Sequence, residues 1–394
     1  MLNQSTHHRL RHFCPSNGKH ACRQPIRWHY YLPMALQFGL TPNTAPASEE
    51  QLANILADPG FCDYYTDHMA LATWKDGEGW FDDGIVPFAP FQLHPAAAVL
   101  HYGQEIFEGM KAYRWADDSI WLFRPEENAK RFNQSARRMM LPQIPTADFM
   151  TAVERLVATD SRWVPQGAGE QTLYIRPIMF ASEAYLGVRA AKVCTFCVIA
   201  APAAMYFSKD GVKPVDIWIT DEYARAGIGG TGSAKCGGNY AASLIAQYEG
   251  YEQDCAQVLF IEASNKDRVE EFGGMNLFVL KDGKLLTPAL TGTILDGITR
   301  RSIIQVAADL GIPTAECRIT PDDLYSFVQD GSITEAFSCG TAAVITPVNA
   351  FKTKQAQYQL AQPLGAVTMA IRERLVGIQF GHVEDTHSWM QRVV

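Results

Sequence analysis

Gly227-Ile-Gly-Gly-Thr-Gly-Ser-Ala-Lys-Cys-Gly-Gly-Asn-Tyr240 sets six glycines in fourteen residues around a single lysine, Lys235. Four readings compete for it. A P-loop requires glycine before the lysine and serine or threonine after it, whereas Ala234 and Cys236 occupy those places. Gly227, Gly229 and Gly232 match the dinucleotide pattern Gly-x-Gly-x-x-Gly. That pattern follows a strand directly, and here Asp221-Glu-Tyr-Ala-Arg225 intervenes. A reactive lysine in a backbone-lined pocket is the third reading. Glycines let the chain approach a flat cofactor, and a partly desolvated amine is the better nucleophile. The fourth is a solvated lysine on a surface loop, which explains nothing around it.

The surroundings favour the reactive lysine. Glu271, in Glu270-Glu-Phe-Gly-Gly-Met-Asn-Leu-Phe278, stands just ahead of a strand. Beside a Schiff-base lysine it becomes a candidate partner for a pyridinium nitrogen. Leu290-Thr-Gly-Thr-Ile-Leu-Asp-Gly-Ile-Thr-Arg300 runs into an amphipathic helix. Asp296 and Gly297 lead into its start, where free N–H groups near Ile298 and Thr299 can hold a phosphate. Gly340-Thr-Ala342, after Glu335-Ala-Phe-Ser-Cys339, is a second small-residue turn able to offer N–H groups to an anion.

Five segments now stand in order: His101-Tyr-Gly-Gln-Glu-Ile-Phe-Glu-Gly-Met-Lys-Ala-Tyr113, Leu173-Tyr-Ile-Arg176, Lys235-Cys-Gly-Gly-Asn-Tyr240, Glu271-Phe-Gly-Gly-Met-Asn276 and Gly340-Thr-Ala342. From about residue 63 to the C-terminus the chain resembles the branched-chain amino acid aminotransferases, which are pyridoxal-phosphate enzymes of fold type IV. The resemblance implies an α/β (α+β) fold of two domains, a smaller N-terminal α/β domain and a larger C-terminal pseudo-barrel domain. It also implies pyridoxal 5′-phosphate as cofactor and a homodimer with shared active sites.

By the same resemblance, Lys235 is the catalytic residue and carries the cofactor as a Schiff base. Tyr240 bonds the cofactor's phenolic oxygen, Glu271 pairs with its ring nitrogen, and Gly274 lines its site. Arg131, in Phe123-Arg-Pro-Glu-Glu-Asn-Ala-Lys-Arg131, binds the phosphate with Ile298, Thr299 and Thr341. Phe107, Tyr174 and Ala342 line an apolar pocket, to which the partner subunit adds Tyr102 and Val188. Arg176 and the backbone at Thr341 and Ala342 lie near the substrate carboxylate. The implied reaction moves an amino group between L-leucine, L-isoleucine or L-valine and 2-oxoglutarate, within branched-chain amino acid biosynthesis. A redox Cys-x-x-Cys that some members carry after the turn is replaced here by Ala343 and Thr346. A D-amino acid aminotransferase or an aminodeoxychorismate lyase would share the lysine and the glutamate, but the Phe-Glu-Gly-Met-Lys and Tyr-Ile-Arg segments favour the branched-chain enzymes. A nucleotide-binding oxidoreductase is the alternative from another class.

Around these motifs, strand-like and helix-like runs alternate from residue 63 onward. Strands are expected at residues 120–123, 173–180, 194–200, 215–220 and 257–261, with Pro177 marking an edge or a bend. Arg124-Pro125 opens a helix with Ala129, Phe132, Ala136 and Met140 on one face. Residues 275–280 and 284–286 flank Asp282-Gly283 as a hairpin, and residues 298–310 form a helix. Residues 41–50 read as a mobile arm. The expected division is an extension or targeting segment at 1–33, a small domain at 34–203, a linker at 204–214 and a cofactor domain at 215–394.

Composition narrows the rest. The 394 residues carry a net charge of −8 and are 47% hydrophobic, a globular balance with no basic surplus for nucleic acid. The first 33 residues hold five bases and no acid, leaving 29 bases against 42 acids beyond them. The longest apolar stretch, residues 193–207, is broken by Pro202 and falls short of the ~20 residues that span a bilayer. Nine cysteines in so long a chain do not make a disulfide scaffold. Cys194 and Cys197 lie three apart in a strand, facing opposite sides, and no second Cys-x-x-Cys completes a zinc site. The expectation is a cytoplasmic enzyme, or an organellar one if residues 1–33 are a transit segment, with reduced cysteines and no metal.

Overall fold

The apolar run around Cys194 and Cys197 forms the strand Val193–Ala203, which pairs with Thr172–Ala181 on one side and His68–Lys75 on the other. The computed structural model describes residues 35–205 and 211–394. The expected extension at 1–33 lies outside the described residues, as do residues 206–210 of the expected linker. Among the described residues the strands form two sheets. The first runs Met390–Arg392, Ile120–Phe123, Met110–Arg114, Thr172–Ala181, Val193–Ala203, His68–Lys75, Gly79–Pro87, with Glu105–Phe107 also on Thr172–Ala181. Its neighbours are all antiparallel. The chain's last strand thus returns to the sheet built by its first half.

Pro177 sits in the middle of this sheet, not at an edge. Thr172–Ala181 has partners on both sides, but one of them is split into Glu105–Phe107 and Met110–Arg114. Pro177 falls opposite the break and its carbonyl accepts the Glu108 N–H at 2.8 Å. A residue without an N–H is tolerated where the neighbouring ladder is interrupted.

The second sheet runs Val269–Phe272, Gln257–Ile261, Val215–Thr220, Val344–Lys352, Ile333–Gly340, Asn276–Lys281, Lys284–Pro288, Thr314–Cys317, with Gln357–Gln359 also on Val344–Lys352. It is mixed: Val215–Thr220 is parallel to both its neighbours, while Asn276–Lys281 and Lys284–Pro288 form the expected antiparallel hairpin.

Helices Pro125–Arg138 and Thr146–Thr159 cover the first sheet. Ala129, Phe132, Ala136, Phe149, Val153 and Leu156 join strand residues such as Ile175, Phe196 and Val198 in one core. Proline at the first helical position supplies the right φ without wasting a donor. Met140 departs from the expected apolar face: it lies beyond the helix end, at φ 55°, and is exposed. Helices Ile298–Asp309 and Ala366–Gln379 pack Ile303, Val306, Ile371 and Leu375 against Phe278 and Phe337 of the second sheet. Residues 41–50 are not an arm. Thr41 N–H bonds the Ile85 carbonyl, Asn43 bonds His68 and Asp67, and Ser48 with Gln51 forms a capping box that starts the helix Glu49–Ala57.

Candidate active site

Lys235 stands one residue before the N-cap, Cys236, of helix Gly237–Glu252. Its backbone is clamped from both sides: its N–H donates to Ser135 Oγ at 2.9 Å, and its carbonyl accepts the Phe107 N–H at 3.0 Å. The helix then turns Tyr240 back onto the lysine, so that Nζ donates to the tyrosine Oη at 2.7 Å. The amine also lies 4.7 Å from the Phe107 ring centroid. Gly274 is needed for close approach, since a Cβ there would stand 3.2 Å from Tyr240 Cε1.

Glu271 lies on the strand Val269–Phe272 and is fully buried. Its Oε1 accepts the Leu295 N–H at 2.8 Å and pairs with Arg225 Nη1 at 2.8 Å, while Oε2 accepts Asn276 Nδ2 at 2.9 Å. Burial pushes the carboxyl up to about 7, against the opposing pull of Arg225, the Leu295 N–H and Lys235. Glu270 beside it is also raised by burial and accepts the Thr293 hydroxyl.

A third group gathers at the start of helix Ile298–Asp309. Gly297 is its N-cap, with no side-chain hydrogen bond to the first turn. A cavity there is lined by Ile298, Thr299, Gly340, Thr341, Asn128 and Lys111, among others. Arg131 reaches the Asp296 carbonyl through Nη1 at 3.1 Å, next to the helix cap. The rest of its guanidinium is forked by Glu108, with Nε–Oε1 at 2.7 Å and Nη2–Oε2 at 2.8 Å, and Asn128 donates to the same Oε2 at 2.7 Å. Among the described residues, one N–H on Nη1 and one on Nη2 remain for another acceptor.

On the remaining side Tyr174 and Arg176 project from one strand. Arg176 Nη2 donates to Tyr174 Oη at 3.1 Å, and its guanidinium lies 4.8 Å from the Phe107 ring centroid. Gly109 makes room for Tyr174, because a Cβ would come within 2.1 Å of its hydroxyl. Lys111, buried on Met110–Arg114, donates from Nζ to the Ala342 carbonyl at 2.8 Å and ties the first sheet to the turn. Tyr102 donates to the Leu186 carbonyl, which puts it and the loop of Val188 on one surface patch, 44% and 87% exposed.

This arrangement joins an amine, a phenol, a buried carboxylate and an anion-ready helix start. Residues 105–351 match the family model of the class IV amino-transferases. The branched-chain-amino-acid aminotransferase of Mycolicibacterium smegmatis is 49% identical, covering 91% of this chain and 98% of that one. The chain belongs to the class IV aminotransferases, among the branched-chain amino acid enzymes. Solved relatives of this aminotransferase share its fold. The Escherichia coli branched-chain amino acid aminotransferase has a TM-score of 0.68 at 27% identity, covering 82% of this chain and 100% of that one. The branched-chain aminotransferase of the thermophilic archaeon Thermoproteus uzoniensis, solved with norvaline, has a TM-score of 0.67 at 28% identity, covering 82% and 100%.

Sequence reading of the aminotransferase did not single out Arg225, Glu108, Asn276 or Lys111. Glu108 and Lys111 lay inside the quoted Phe-Glu-Gly-Met-Lys segment without a role, and Arg225 counted only as an interruption before the glycine loop. Cys194 and Cys197 are free and buried, with both thiols pushed up to about 12 by burial. Among the described residues no cluster of His, Cys, Asp and Glu is placed to hold a metal, and no helix is long and apolar enough to cross a membrane.

Proposed function

We propose that the protein transfers the amino group between L-leucine, L-isoleucine or L-valine and 2-oxoglutarate, using pyridoxal 5′-phosphate. The observation that carries this reading is the Lys235–Tyr240 contact of 2.7 Å, with the buried Glu271 carboxyl nearby. The residues fit the cofactor's three polar ends. Tyr240 would hold a phenolic oxygen, Glu271 a ring nitrogen, and the first turn at Ile298 and Thr299, with Thr341 and Arg131, a phosphate. When bound, the cofactor would supply an electrophilic carbon for the amino group and a conjugated ring able to spread the electron pair left by the departing α proton.

Lys235 would take the proton from the substrate α carbon as base and then, as the ammonium, act as the acid that gives it back. Tyr240 keeps its amine oriented through the 2.7 Å bond. Phe107 and Tyr174 keep water from the reacting carbon and offer apolar surface to branched side chains. Such a surface separates aliphatic side chains only weakly, so all three branched-chain substrates are accepted. Arg176 reaches the carboxylate that glutamate carries and leucine lacks. The same residues serve both half-reactions, so the kinetics are ping-pong.

A homodimer is part of this proposal. Leu244, Ile245, Tyr248 and Tyr251 lie exposed on the helix that begins beside Lys235, and covering such an apolar face favours association. Tyr102 and Val188 then serve the partner's pocket. The divisions at 34–203, 204–214 and 215–394 are kept as proposed domain bounds. The free cysteines among the described residues support a cytoplasmic location. The test is amino transfer to 2-oxoglutarate: L-leucine, L-isoleucine and L-valine should serve as donors, and transfer from D-alanine alone would overturn the reading.

A further inference from the structure

We infer that Arg225 is a positioning residue for the cofactor ring, holding Glu271 as a carboxylate and leaving Oε2 as the oxygen open to the ring nitrogen. The inference rests on the reading of Glu271 as the ring's partner. Arg225 enters from the short stretch between the strand Val215–Thr220 and the glycine loop, and its side chain is 2% exposed. Its Nε donates to the Gly273 carbonyl at 3.3 Å, and its Nη1 to the Thr293 carbonyl at 3.2 Å. Those carbonyls belong to the turn just after Glu271 and to the segment leading to the Ile298 helix. The guanidinium is therefore seated by backbone, and its 2.8 Å approach to Glu271 Oε1 does not depend on the carboxylate alone.

The oxygens of Glu271 are unequally engaged. Among the described residues, Oε1 accepts the Leu295 N–H and stands against the Arg225 guanidinium as an ion pair, whereas Oε2 accepts only Asn276 Nδ2. A carboxylate oxygen accepts about two donors; with the cation against Oε1, Oε2 keeps a place for a further donor. Asn276 is itself oriented by the Leu295 carbonyl at 3.0 Å. The second donor place on Oε2 suits a protonated ring nitrogen.

The charges facing this carboxyl come from four elements: Arg225, Lys235 before its helix, Glu270 on the same strand and Cys339 on Ile333–Gly340. Burial keeps Cys339 a neutral thiol and raises Glu270. Lys235 changes its bonding during turnover. Arg225 is the cation that stays the same throughout, and an opposite charge at this range favours the ionised acid. An un-ionised Glu271 would offer the ring nitrogen no counter-charge and so would not favour its protonated form.

The test is a pH titration of the visible absorption of the holoenzyme, with cofactor dissociation and steady-state kinetics measured alongside. Arg225→Gln keeps donors for the two carbonyls and removes the charge, whereas Arg225→Lys keeps the charge. Arg225→Gln should shift the midpoint by about 1–3 pH units, weaken cofactor retention and lower kcat with little change in KM for L-leucine. Arg225→Lys should restore the midpoint. A wild-type midpoint in Arg225→Gln beside an altered one in Glu271→Gln overturns the inference and leaves the role of Glu271 standing. Wild-type midpoints in both variants overturn the role of Glu271 and the inference together. Should Arg225→Gln not fold, infrared difference spectra of wild type against Glu271→Gln decide. A carboxylate band in the holoenzyme at about pH 6, below the value of about 7 that burial sets, supports the inference, and a carboxylic acid band there overturns it.

Discussion

Lys235 Nζ and Tyr240 Oη meet at 2.7 Å across the start of one helix, five residues apart in sequence. The lysine is held by its backbone to Ser135 and Phe107, so the amine is aimed before any substrate arrives. Lys235→Ala should yield a colourless protein with activity lower by about 10³-fold or more. The absorption spectrum and the transfer assay check this; a yellow, active variant would assign the chemistry to another residue.

Glu271 links site chemistry to stability. Burial raises its carboxyl to about 7 in the cofactor-free folded protein from an ordinary 4.5, so without the ring the folded chain binds this proton more tightly than the unfolded chain does. Its contribution is full below about 4.5 and is lost as pH rises through about 7. Over that window the cofactor-free wild type should lose on the order of 3 kcal/mol relative to Glu271→Gln. Urea unfolding at a series of pH values measures the difference in slope.

Lys111 works in the opposite sense. Burial lowers its ammonium to about 8 from 10.5, so the unfolded chain holds the proton more tightly. The resulting penalty is full below about 8 and disappears as pH rises through 10.5. Lys111→Met should therefore flatten the gain in stability over that range, again on the order of 3 kcal/mol. It should also raise KM for amino acid substrates, because the Ala342 carbonyl loses its 2.8 Å anchor.

The Glu108–Arg131 pair is fully buried and forked. Glu108→Gln leaves a buried guanidinium without its counter-charge and should cost about 3–5 kcal/mol in stability. Glu49→Gln removes a partner of Arg162 that is 88% exposed and should barely change the melting temperature. Thermal melts of the two variants, side by side, check the contrast.

The parts of this site that sequence made legible are those whose geometry is local. Lys235 and Tyr240 share one helix start, so their spacing already brings them together, and Ile298 and Thr299 are the first turn of a helix whose periodicity is plain. Glu271 was legible through its neighbours. The supporting partners were not, because they come from elements that no periodicity connects: Lys111 and Ala342 are 231 residues apart, and Glu108 and Arg131 are 23 apart. Pro177 shows the same limit in the fold. Its missing donor suggests an edge or a bend, and only the sheet reveals that a break in the neighbouring strand accommodates it mid-sheet. Residues 41–50 were misread because their composition is that of a loop, while Ser48 and Gln51 within and beside them cap a helix.

Amino-group transfer at Lys235 through pyridoxal phosphate would be visible in a single absorbance experiment. The purified protein should be yellow. L-Leucine alone should abolish the visible band, and 2-oxoglutarate added next should restore it, without NAD. A protein with no visible band, or one whose band ignores L-leucine and responds to D-alanine, would contradict the account.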